Sequence, residues 1–488
     1  MRYRMRYAFI MAMLLTATLV LGNATTTVAD DNTGRSFTGT TGSALAGGYA
    51  NSAVPKVRVT RTTVAGITTV SEFDDWATAV AEIDNAADRT SKYEIALLAD
   101  LGGDTAEAPP MKSLDMPKNA AEVRIVSVNT GPSNHGILIT ASDKVTFNCP
   151  TILKGVGIVC LKRQKNGSYV SGDYDLNIGG NKVVIDDLKH TYNGKKSGVN
   201  NITGTKEGSV RFIMGDATLR IGGNTTGVGT VEIINPTAIE RGVHAFGRLA
   251  PGNIVAEGTN GSILIHTNSD LTVTSLKTEH CRISSGKAMN IVNLDADGSI
   301  LYVGNATGHP NGVDQGTPAT ADLNVTNAIL RNNTHVYAQN VNVKEKLTTE
   351  GSVLDAGYKL TRPGQGGKVS IARLFVVNDN WIFAKQDLNG RSQITVNGTV
   401  NADPGEAEVN GLERICLWNN DYSGLAQVYD GMVLATAPKA EPFRFMPVVV
   451  DASNPGVEHY MGIYDPNRQG TYKSGNKICF GLTEDRAE

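Results

Sequence analysis

Cysteine is scarce in this 488-residue chain: there are five, Cys149, Cys160, Cys281, Cys416 and Cys479. They are far apart, odd in number and without CxxC spacing, which excludes a disulfide framework and argues against a zinc site. Buried thiols suit a long chain with another source of stability, and a Cys149–Cys160 disulfide is the alternative. Aromatic residues make up 6% of the chain and charged residues 19%. The formal net charge of −3 is spread along the sequence, so there is no basic footprint for a nucleic-acid partner. Beyond the first 29 residues no run approaches the roughly 20 apolar residues that a membrane span needs.

Recognisable catalytic motifs are missing too. The eight histidines form no HxH or HExxH group, and no GxSxG elbow is present. Gly-rich pieces such as IGGNTTG lack the P-loop lysine. No cofactor is expected.

The chain opens MRYRMRY, with Arg2, Arg4 and Arg6, and continues AFIMAMLLTATLVLG. A basic start followed by an apolar run of this length reads as a signal peptide, residues 1–29, with cleavage after Ala24 or Ala29. The expectation is an exported chain, released or held non-covalently, because no cysteine stands directly after the apolar run and the end GLTEDRAE is polar. Residues 30–55, rich in Thr, Gly and Ser, read as a flexible leader.

What the chain does have is glycine, 53 in all, together with recurrent Asn and Thr. Such residues supply turns. Between them lie short alternating segments such as VRIVSV, YDLNIGG, TLRIGG, TVEIINP, SILIHT and DLNVTN, spaced by roughly 8 to 16 residues. An antiparallel sandwich and a parallel solenoid both fit this texture. Rare hairpin dipeptides, long polar connections and persistence over about 280 residues favour the solenoid.

An open first coil also needs a cover. In SEFDDWATAVAEIDNA, Phe73, Trp76, Val80 and Ile83 recur at helical spacing, with Ser71 and Asp74 as a capping box, so a capping helix is predicted near 71–87. The predicted fold is all-β: a single-stranded parallel β-helix solenoid over 56–404, of about a dozen coils of roughly 22 to 25 residues. Residues 405–488 are predicted to hold the last coils and a small C-terminal β cap, with YMGIYDPNRQGTYKSGNKICFG as a hairpin.

Three constellations merit weighing. Asp186 and Asp187, near Lys189 and His190, pair two carboxylates with a base, but strand alternation sends the carboxylates to opposite faces. Asn293, Asp295, Asp297 and Gly298 are spaced like the start of a Ca²⁺ loop, yet its twelfth place is Gly304 where a bidentate Glu belongs, so a turn is expected and no metal. Trp381, and Trp418 with Asp421 and Tyr422, set aromatics among amides and carboxylates, the pattern of a glycan-binding face, with core packing as the competing reading.

The succession FDDWATAVAEIDN, YEIALLADL, MPKNAAEVRIVSV, repeated short coils, then LATAPKAEPFRF and GTYKSGNKICFG, resembles the β-helix, pectin-lyase-like surface proteins exported by Gram-positive anaerobic gut bacteria. The resemblance covers about residues 70–488 and is architectural. It implies a right-handed parallel β-helix displayed outside the cell, in adhesin-like proteins. The expected function is therefore non-catalytic adhesion or glycan binding by a secreted or cell-surface monomer, with extracellular polysaccharide or surface glycans as partners. The alternative is a polysaccharide lyase or glycoside hydrolase, which needs carboxylates converging with an Arg or Lys in one groove.

Overall fold

The computed structural model describes residues 54–482, apart from internal stretches of which the longest are 305–317, 358–366, 404–413, 420–432 and 437–447; side chains are described as far as Ile382. The expected signal peptide, most of the leader, and Asp187, Lys189, His190, Asp421 and Tyr422 lie outside the described residues.

The chain is mostly β. β1 (Val57–Thr62) and β2 (Thr68–Phe73) pair antiparallel, and β1 also pairs antiparallel with β3 (Lys92–Leu97). Between β2 and β3 lies α1 (Trp76–Asn85), which buries Trp76, Ala79, Val80 and Ile83 against the core. The Trp76 indole N–H donates to the Asp115 carbonyl at 2.8 Å. The helix starts later than its apolar spacing predicts. Strand pairing takes Ser71, which faces Val59, so the capping falls to Asp75, whose carboxylate accepts from the Thr78 N–H at 2.8 Å.

From β3 onward every pairing in the 31-stranded sheet is parallel. β3 pairs with β4 (Glu122–Ser127), and each later segment stacks on the one before. Ile95, Ile125, Leu153, Ile185, Phe212, Ile233 and Ala256 stand one above another in register, all buried. Short strands alternating apolar and polar give such columns directly, because successive side chains point to opposite faces.

The pairings resolve into three ladders. Ladder one runs from Leu219–Ile221 through Ile263–Thr267, Cys281–Ser285, Ile300–Val303, His335–Ala338 and Val353–Ala356 to Trp381–Gln386 and Arg414–Asn419. Ladders two and three share four long strands, Leu271–Glu279, Met289–Asp297, Leu323–Arg331 and Asn340–Glu350: the N-terminal part of each belongs to ladder two and the C-terminal part to ladder three. The step between equivalent positions is uneven. It is 18 residues from Cys281 to Ser299, 23 from Thr230 to Asn253 and 34 from Asn290 to Asn324, a wider range than the expected 22 to 25. The longest step carries the stretch 305–317 between ladders one and two.

The C-terminal strands leave this pattern. Gln469–Ser474 and Lys477–Leu482 form an antiparallel hairpin joined by Val433–Thr436, and Val448–Val450 pairs antiparallel with Glu458–Tyr460. Cys149, Cys160 and Cys281 are buried and not in disulfides, so the possible Cys149–Cys160 pairing does not form. Among the described residues no helix is long and apolar enough to cross a membrane.

Candidate functional site

Where the four long strands pass from ladder two to ladder three, strict alternation breaks. Val273 and Leu276 both point inward, leaving Thr274 and Ser275 together on the outside; Val292 with Asn293 and Thr326 with Asn327 repeat the arrangement. The fourth strand inserts one further residue, a bulge that leaves Lys344 and Glu345 exposed. Two outward residues in a row bend the strand, and stacking four bends produces a lateral groove of about 300 Å³.

The groove repeats with the rungs. Thr272, Asn290 and Asn324 of the lining are in register, Asn342 continues their line on the next rung beside the lining, and the Asn324 side-chain amide donates to Asn290 Oδ1 at 3.1 Å. Val292 is an apolar contact point, 44% exposed. Lys344 is the one charged residue in the lining. Its neighbour Glu345 accepts from the Asn327 amide at 3.2 Å, and Lys346 lies over the Phe375 ring at 4.3 Å.

The outward positions of ladder one form a different column. Arg220, His244, His266, Ser284, Tyr302, Tyr337 and Asp355 share one register. His266 Nδ1 lies 2.6 Å from Ser284 Oγ and its Nε2 lies 2.9 Å from Asn268 Oδ1. With the Ser284 hydroxyl donating to Nδ1 and Nε2–H donating to Asn268, every role is filled. This has the order of a nucleophile, a base and an orienting group, and the sequence contains no motif that announces it. Both His266 and Ser284 are fully buried, however, which leaves no room for an acyl group beside the hydroxyl. Further along, Tyr302 packs against Ala319, and His335 bonds Tyr337 OH at 3.0 Å and Asn333 Oδ1 at 2.9 Å. Burial holds the His335 pKa below its ordinary value.

Ladder three carries the charge. Lys92 with Glu122, Glu94 with Arg124, Lys154 with Asp186 at 3.3 Å, and Arg211 with Glu232 at 2.5 Å link one rung to the next. Asp186 is thus engaged by a lysine of its own ladder. Asn293, Asp295 and Asp297 do not wrap a cation; they lie along one strand, where Arg331 pairs with both aspartates. Among the described residues no group of three or more His, Cys, Asp or Glu side chains is placed to hold a metal ion. Glu257, Glu279, Asp297 and Arg331 do follow one another in register, on this face and not in the groove.

Trp381 and Trp418 fall on neighbouring strands of ladder one, where Trp418 pairs with Lys385 and Trp381 with Arg414. Comparison of the chain with family models, with curated proteins and with solved structures finds no match.

Proposed function

We propose that the chain is a secreted or cell-surface parallel β-helix, covered by α1 at one end and by the antiparallel C-terminal strands at the other, that binds glycans without cleaving them. Three parallel ladders visited in turn support the solenoid. The lateral groove at the bend between ladders two and three carries the functional reading. It presents stacked amides and hydroxyls beside an exposed valine, the mixture that a pyranose needs: hydrogen-bond partners for its hydroxyls and an apolar patch for its C–H face. Its rungs are fixed by backbone ladders, so ligand binding costs little ordering of the protein. Repeated weak contacts along such a rod add through effective concentration.

Trp381 and Trp418 on ladder one belong to the proposal as a second contact region, together with Asp421 and Tyr422, which lie outside the described residues. The test is a glycan array probed with the purified protein, the Asn290→Ala/Asn324→Ala variant and Trp418→Ala, with circular dichroism as the folding control. Binding lost in the groove variant supports the reading, and a parent protein that binds no glycan overturns it. The competing reading, a polysaccharide lyase or hydrolase, needs carboxylates in the groove, and none is among its lining residues. Unsaturated products or new reducing ends from polygalacturonate, with or without Ca²⁺, would establish that reading instead.

A further inference from the structure

We infer that the groove between ladders two and three takes an anionic glycan strand lying parallel to the stack of rungs, one sugar to each rung, with Lys344 selecting the negative charge. The inference rests on the glycan-binding reading of the same groove and adds the ligand's charge, direction and length.

Charge comes first. Lys344 is exposed, has no ion pair among the described residues, and is the one charged side chain in the lining. Arg331 is committed to Asp295 and Asp297 on ladder three, and the Glu345 carboxylate is turned to the Asn327 amide and does not belong to the lining. A neutral ligand would leave the Lys344 ammonium unused, whereas a carboxylate or sulfate would engage it.

Direction follows from repetition. Parallel strands are about 4.8 Å apart, comparable with the advance of one pyranose in an extended polysaccharide. Thr272, Asn290, Asn324 and Asn342 therefore offer one polar side chain per sugar along a single line. The Asn324-to-Asn290 bond uses one amide hydrogen and one carbonyl oxygen of the pair. The remaining amide N–H and C=O groups stay available to sugar hydroxyls, which both donate and accept. A glycan running along a single rung would meet only one of these four side chains.

The lining runs from Pro251 to Lys344, and length is set by the four rungs within that span whose polar side chains share one register, Thr272, Asn290, Asn324 and Asn342.

Isothermal titration with size-graded oligosaccharides of a neutral glucan, a uronan and a sulfated glycan tests all three parts on the parent protein, Lys344→Gln and Lys344→Arg. Affinity should rise with length and level off at about four sugars. Either anionic series should bind more tightly than the neutral one, and Lys344→Gln should erase about threefold to fivefold of that preference, the size of one partly exposed charge contact. Lys344→Arg should keep it, and molar salt should remove it. Equal binding of neutral and anionic series, an unchanged preference in Lys344→Gln, or no plateau overturns this inference while glycan binding stands. Absence of binding to any series, with the circular dichroism spectrum intact, overturns the glycan reading itself.

Discussion

Cys281 and Ser299 stand in equivalent places on successive rungs and make the same bond. The Cys281 thiol donates to the Glu279 carbonyl at 3.0 Å, and the Ser299 hydroxyl donates to the Asp297 carbonyl at 2.9 Å, each two residues back. Thr334 and Ser352 continue the column on the next two rungs, both buried. Cysteine here is one member of a hydroxyl-type stack at the entry to ladder one.

Cys281→Ser should therefore fold normally and change stability by no more than about 1 kcal/mol, since one donor replaces another. Burial pushes the Cys281 thiol up to about 12 from 9.0 and the Cys149 thiol up to about 11. Folding then opposes deprotonation. The stability tied to each thiol is complete below pH 9 and is lost as pH rises through the folded-state value. Chemical denaturation at pH 8 and pH 10.5 reads this out: the parent should weaken more than Cys281→Ser over that interval. Equal losses would show that Cys281 is accessible to base.

Trp76→Phe removes the indole donor from the Asp115 carbonyl while keeping most of the apolar bulk over the first rungs. The expected cost is about 1–3 kcal/mol, and Trp76→Ala should cost about 3–5 kcal/mol by leaving a cavity. Urea melts followed by circular dichroism measure both. A loss below 0.5 kcal/mol for the alanine variant would mean, on the same scale, that α1 does not cover the core.

The columns were legible because period-two patterns such as VRIVSV and TVEIINP place side chains without knowledge of their partners. The start of α1 was not, since whether Ser71 caps a helix or joins a strand depends on Val59, a residue outside the helix signal. The Asn293, Asp295, Asp297 spacing is identical in a cation loop and in a strand, and Arg331, 36 residues beyond Asp295, decides between them. His266 and Ser284 are 18 residues apart, and only the register of two short strands brings them together. The groove was invisible for the same reason: two outward residues in one strand mean little until four strands align.

Gly298 and Gly351 separate two costs that glycine avoids. Both turns from ladder three to ladder one pass through the left-handed region, with φ of +54° at Gly298 and +55° at Gly351. A Cβ on Gly298 would stand 2.6 Å from His280 Nδ1, whereas one on Gly351 meets nothing within 4 Å. Gly351→Ala should cost only the conformational penalty, about 1–2 kcal/mol. Gly298→Ala should cost more, by the work of displacing His280. Equal losses in thermal melts would show that the His280 ring swings away freely.

Thr278 offers the opposite sign. Its side chain sits in the inward column between Ala256 and Ala296, and its Oγ1 is buried with no hydrogen-bond partner among the described residues. Folding strips water from that hydroxyl and returns nothing for it. Thr278→Val keeps the branched shape and exchanges the hydroxyl for a methyl that contacts apolar neighbours, so the variant should gain about 1 kcal/mol. Thr278→Ala, which deletes both branches, should lose stability through the space left behind, even though it also removes the unpaired oxygen. Differential scanning calorimetry on the three proteins orders them Val above Thr above Ala. An order with Val below Thr would mean that the hydroxyl has a partner, such as an ordered water, whose bond outweighs the apolar gain.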